Sequence, residues 1–115
     1  MTVTILHNPR CSKSRATLNL LRDNGIEPKI VDYLETPPTA EEFKSILDKL
    51  ALGPRDVIRR GEKVYKELEL ADDNLSDTAL ITAMVGNPIL IERPIVIKGD
   101  KAALGRPPES VLEIV

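Results

Sequence analysis

The chain has 115 residues, 16 of them basic and 18 acidic, for a formal net charge of −2. That length makes one domain, residues 1–115, with a moderate core, and the charge balance argues against nucleic acid as a partner. No apolar run approaches the length of a membrane span and no basic-then-apolar leader opens the chain, so a cytoplasmic protein that makes no use of membranes is expected. One cysteine excludes an internal disulfide, and one cysteine with one histidine argues against a structural zinc site. Aromatic residues, at 3 %, are too few for base stacking.

Residues 2–7 read as a first strand, and residues 14–24 as a helix with Leu18, Leu20 and Leu21 on its inner stripe, stopped by Gly25. A second strand follows at residues 28–33. Strand, helix and strand with short connections make a βαβ unit, which requires parallel strands and a right-handed crossover. After the turn Glu35-Thr36-Pro37-Pro38, the spacing Thr39-Ala40-Glu41-Glu42 is a capping box that opens a helix to about Leu50. Proline at a first turn predicts a helix over 54–60, a short one follows near 64–68, and Ser76 caps another that Gly86 ends. Residues 94–97 and 102–104, joined through Lys98-Gly99-Asp100-Lys101, form an antiparallel hairpin. A closing helix is predicted over 109–115. The order is α/β: a four-stranded mixed sheet flanked by helices, with a helical insertion between the βαβ and ββα halves. No repeat, low-complexity tract or linker divides the chain.

Cys11 stands where the first strand gives way to the first helix, in His7-Asn8-Pro9-Arg10-Cys11-Ser12-Lys13-Ser14-Arg15. Free cysteine is often an inert buried hydrophobe, but here its neighbours are polar or charged. At a helix N-terminus the first N–H groups lack intrahelical partners and the macrodipole is positive, so the thiolate, which is the nucleophile, is favoured. Arg10, Lys13 and Arg15 add cations, and His7 a cation or a hydrogen-bond donor. With no second thiol in the chain, redox chemistry needs a thiol from another molecule.

Arg59, Arg93 and Arg106 each sit where regular structure should break, the last two directly before Pro94 and Pro107. Proline holds the preceding residue extended. A guanidinium keeps its charge and presents paired donors matched to a tetrahedral oxyanion, so three around one thiolate would make an oxyanion cage. Taken singly, each reads more readily as a solvated surface arginine of little energetic weight. Arg60, beside Arg59, shows how little the spacing decides alone.

The segments His7-Asn8-Pro9-x-Cys11-x-x-Ser14-Arg15-x-Thr17-Leu18, Tyr33-Leu34-Glu35-Thr36-Pro37-Pro38-Thr39, Arg93-Pro94-Ile95-Val96 and Arg106-Pro107 together resemble the glutaredoxin-coupled arsenate reductase family. The resemblance spans essentially the whole chain, and several motifs in the right order carry it. It implies a thioredoxin-like fold with a helical insertion, and a cis bond before Pro94. It also implies that Cys11 attacks arsenate, that Arg59, Arg93 and Arg106 bind the oxyanion, and that His7 helps lower the thiol pKa. Glutathione would be the co-substrate, glutaredoxin the partner that clears a mixed disulfide, and a monomer with no bound cofactor or metal is expected. Arg10 before the cysteine and Ser12-Lys13 after it depart from the best-known reductases, which carry a small residue before and Gly-Thr after; with the short C-terminus this resembles a shorter, arsenate reductase-like subgroup.

Two rivals come from other classes. Spx-like regulators, which bind RNA polymerase, share the fold and the Arg-Pro-Ile motif, but typically carry a Cys-x-x-Cys switch where this chain has Ser14. A monothiol glutaredoxin-like oxidoreductase would fit Cys11-Ser12-Lys13-Ser14, yet would need a glutathione groove rather than the arginines.

Overall fold

The structure is a computed structural model that describes residues 2–115. The backbone clusters into two compact units, one built from residues up to Thr36 and from Arg93 onward, the other from Pro37–Glu92.

The first unit holds a four-stranded sheet in the order β2-β1-β3-β4, from β1 (Val3–His7), β2 (Lys29–Asp32), β3 (Ile95–Lys98) and β4 (Lys101–Leu104). β1 and β2 run parallel with Ile5 opposite Ile30 and His7 opposite Asp32; β1 and β3 run antiparallel with Ile5 opposite Val96. The hairpin β3–β4 turns at Gly99, whose φ of 61° suits glycine. Helix α1 (Ser12–Asp23) connects the parallel pair. It stops where predicted: Gly25 takes φ 77°, its N–H donates to the Arg22 carbonyl and the Ile26 N–H to that of Leu21, at 3.0 and 2.9 Å. This is a Schellman stop, and Ile26 turns back onto the core. That core joins Val3, Ile5 and Val96 of the sheet to Leu18 and Leu21 of α1 and to Val111.

The second unit is helical: α2 (Ala40–Leu50), α3 (Pro54–Val57), α4 (Lys63–Glu67) and α5 (Asp77–Gly86). The capping box forms as predicted, Thr39 Oγ1 accepting from the Glu42 N–H at 3.1 Å and Glu42 from the Thr39 N–H at 3.0 Å. Ser76 caps α5 through the Ala79 N–H. Phe43 and Leu47 of α2 and Leu80 and Met84 of α5 are buried in this unit. Arg55 holds the loop after α4 by donating to the carbonyls of Leu70 and Asp72.

Three predictions need correction. The helix over 54–60 ends at Val57, because Ile58 turns extended and bridges Ile91, a long-range pairing that competes with the next helical turn. The closing helix over 109–115 is instead a 3₁₀ stretch, Pro108–Glu113. So short a segment does not repay nucleation of an α-helix on its own, and the buried Val111 fixes it by packing. On α1 the inner stripe is Ser14, Thr17, Leu18 and Leu21, with Leu20 only half-buried.

Candidate active site

Strand alternation puts His7 on the same face of β1 as Val3 and Ile5, the face that α1 covers. Along α1 the positions one and two turns back from Leu18 and Leu21 bring Ser14 and Thr17 to that face, both fully buried. The apolar stripe therefore ends in a polar cap. His7 Nδ1 lies 2.6 Å from Ser14 Oγ, and the same oxygen accepts the Asn8 N–H at 3.0 Å. Burial pushes the His7 pKa below its usual value; Asp32, opposite it on β2, works against that, and the charges of Arg15 and Arg22 add to it. His7 is thus neutral at neutral pH and brings no charge to the cysteine. Its link to Cys11 runs through Ser14.

Between β1 and α1 the loop is tied to itself. The Cys11 N–H donates to the Asn8 carbonyl at 3.0 Å, the Arg10 N–H to Asn8 Oδ1 at 3.0 Å, and Arg15 Nη1 to the Pro9 carbonyl at 2.8 Å. Cys11 is the N-cap residue of α1, extended at φ −94° and ψ 123°, with its carbonyl accepting from the Arg15 N–H at 3.0 Å. This posture turns the partly exposed sulfur toward the first turn of the helix. Burial alone would raise the thiol pKa, but hydrogen bonding from the Ser14 N–H, from the Arg93 guanidinium and from the Lys13 N–H, together with the Arg93 charge, outweighs it and the net shift is downward. The cation that acts on the thiolate comes from Arg93, on the far side of the sheet's sequence, rather than from the local basic run.

Arg93 Nε and Nη1 are buried and have no hydrogen-bond partner. A buried charged donor left without an acceptor is costly, whereas two oxygens of one tetrahedral anion would satisfy both. Arg106 is tied to the backbone of this residue: its Nε donates to the Arg93 carbonyl at 3.3 Å. The peptide bonds Arg93–Pro94 and Arg106–Pro107 are both cis, the first as predicted. Between them, Gly105 donates its N–H to the Pro94 carbonyl at 3.0 Å, and a Cβ on Gly105 would stand 2.6 Å from both Pro94 Cγ and Thr17 Oγ1. The β4 end can lie this close to Pro94 and to α1 only because that atom is missing.

Among known proteins, the ArsC family matches residues 6–114. The arsenate reductase of Neisseria meningitidis serogroup A is 49 % identical over 110 residues, which is 95 % of this chain and 94 % of the relative. The chain belongs to the ArsC family. The protein YfgD of Escherichia coli strain K12, named as uncharacterized, is 59 % identical over 114 residues, covering 98 % of this chain and 96 % of the relative. A solved structure titled arsenate reductase from Vibrio cholerae superposes with a TM-score of 0.97 at 53 % identity, covering 100 % of this chain and 98 % of that one.

Of the residues singled out from sequence, the structure brings Arg93 to Cys11, ties Arg106 to the Arg93 backbone and seats His7 behind the cysteine through Ser14. Arg59 belongs to the helical unit. There it follows α3, with Nη1 on Glu92 Oε1 at 3.0 Å and Nε on Glu62 Oε2 at 3.4 Å; Arg60 beside it is exposed. Sequence reasoning missed Gly105 and the bridging part of Ser14. Ser14 had a signal, its place one turn before Leu18 on the helix stripe; Gly105 had none, because its neighbours come from distant segments.

Cys11 is therefore expected to alkylate at lower pH than a free cysteine. In a pH series of iodoacetamide rates the midpoint should fall clearly below about 8.5, the value of an unperturbed cysteine. A rate that rises only above about pH 8 would overturn this.

Proposed function

We propose that the protein is an arsenate reductase in which the Cys11 thiolate is the nucleophile and glutathione and glutaredoxin supply the electrons. The observation that carries the reading is Arg93: its guanidinium stands near enough to Cys11 to favour the thiolate, while two of its buried nitrogens lack an acceptor, which suits an oxyanion held within reach of the sulfur. Relatives named arsenate reductase at 49 % identity over nearly the full chain support the same substrate.

In this reading the sulfur bonds to arsenic and one oxygen leaves as water, giving a Cys11–S–arsenate adduct. Arg93, Arg106 and, by the family motif, Arg59 offset the repulsion between thiolate and anion and stabilise the charge on the oxygens. His7 acts from behind, holding Ser14 and with it the N–H that faces the sulfur. Glutathione thiolate then attacks Sγ: the S–S bond forms, the S–As electron pair stays on arsenic, and arsenite departs with arsenic reduced by two electrons. Glutaredoxin clears the mixed disulfide. No bound cofactor or metal enters the scheme, and the protein works as a cytoplasmic monomer.

The test is arsenite formation with arsenate, glutathione and glutaredoxin present together and with each omitted in turn. Turnover should require all three. If arsenate stays inert while Cys11 remains reactive to alkylation, arsenate is not the substrate.

A further inference from the structure

Beyond the carboxyl ends of the parallel strands β1 and β2 lies a cleft of about 330 Å³ lined by Asn8, Pro9, Arg10, Asp32, Leu34 and Glu35. Open α/β sheets commonly hold ligands outside the carboxyl ends of their strands, and the volume is in the range of small-molecule sites. None of the oxyanion chemistry uses it. Its walls are set in advance: Asn8 Oδ1 accepts the Arg10 N–H at 3.0 Å, and Asp32 Oδ1 accepts the Leu34 N–H at 3.1 Å. Arg10 and Glu35, by contrast, have exposed side chains, one cationic and one anionic, on opposite walls. Pro9 and Leu34 offer apolar surface between them.

The wall that carries Arg10 ends at Cys11, about 3.8 Å further along the backbone, so whatever is joined to the sulfur has its substituents beside this cleft. We infer that the cleft is the subsite for the thiol co-substrate, and that it takes a peptide-like thiol bearing both a carboxylate and an ammonium group, with Arg10 pairing the carboxylate and Glu35 the ammonium. This rests on glutathione being the electron donor. An uncharged thiol pairs with neither charge.

The test needs no arsenate. Reduced protein is mixed with glutathione disulfide or with the uncharged hydroxyethyl disulfide; Cys11 thiolate attacks one sulfur, the protein mixed disulfide forms, the disulfide's own S–S bond breaks, and one thiolate leaves. Arg10→Ala and Glu35→Gln should each slow the reaction with glutathione disulfide about two- to five-fold, the size that exposed charge pairs support, and leave the reaction with hydroxyethyl disulfide unchanged. The difference should vanish in 1 M salt, where screening reaches about 3 Å. Equal slowing with both disulfides would mean that the charges act on the thiol rather than on a ligand, and no slowing with either would mean that the cleft is not used; both overturn the inference. A protein inert to arsenate that still shows the charge-dependent difference keeps the subsite and loses the arsenate reading.

Discussion

Arg93→Lys is expected to lower kcat/KM for arsenate by about 10²- to 10³-fold, the cost of removing one positioned donor from a developing oxyanion, even though the formal charge is kept. The guanidinium reaches the sulfur and still has two buried nitrogens to offer; an ammonium has three donors at one point and cannot serve both a thiolate and two anion oxygens across a plane. The same variant should shift the alkylation midpoint of Cys11 upward, since both the hydrogen bond and the charge of Arg93 favour the thiolate. Steady-state arsenate kinetics and the alkylation series measure the two effects separately. A lysine variant that matches wild type in turnover would remove Arg93 from the chemistry, and Arg60→Ala, at an exposed position, provides the comparison for a charge lost elsewhere.

Cys11→Ser should abolish turnover, because the chain holds no other thiol and a hydroxyl is not ionised at working pH. In wild type, mass spectrometry after one turnover without glutaredoxin should find Cys11 carrying glutathione, and the serine variant should carry nothing. Accumulation of arsenite with no adduct on wild-type Cys11 would mean that the electrons travel another way. Folding should not confuse the result: Cys11 is partly exposed, and serine is itself a favoured N-cap residue.

Much of this arrangement was legible before the structure because it depends on local rules. The alternation in β1, the glycine stop after α1, the Thr39–Glu42 capping box and the junction that exposes Cys11 are each written within a dozen residues. The basic run around Cys11 was legible too, but its meaning was not. Distance in sequence misjudged which cation matters: Arg93 reaches the thiolate because antiparallel pairing of β1 with β3 returns the chain to the end of the first strand, and no spacing rule reveals that. The surroundings of Arg59 were hidden for the same reason, as one of its carboxylates, Glu62, lies one turn ahead while the other, Glu92, comes from beyond α5. The end of α3 at Val57 likewise depends on Ile91, a partner that propensity cannot see.

The atom missing at Gly105 also sets what inheritance can do with this site. Every other amino acid begins with a Cβ, and here that atom would meet a proline ring on one side and, on the other, the Thr17 hydroxyl, itself held by the Lys13 carbonyl at 2.8 Å. Neither neighbour is a flexible side-chain end that could swing away. A mutation at this codon therefore has no mild version: the smallest change available pushes β4 away from Pro94, and the arginine that follows moves with it. Variation can try new residues along the rim of the cleft beside Cys11, where side chains are exposed, but the spacing between the two Arg-Pro corners is closed to gradual adjustment.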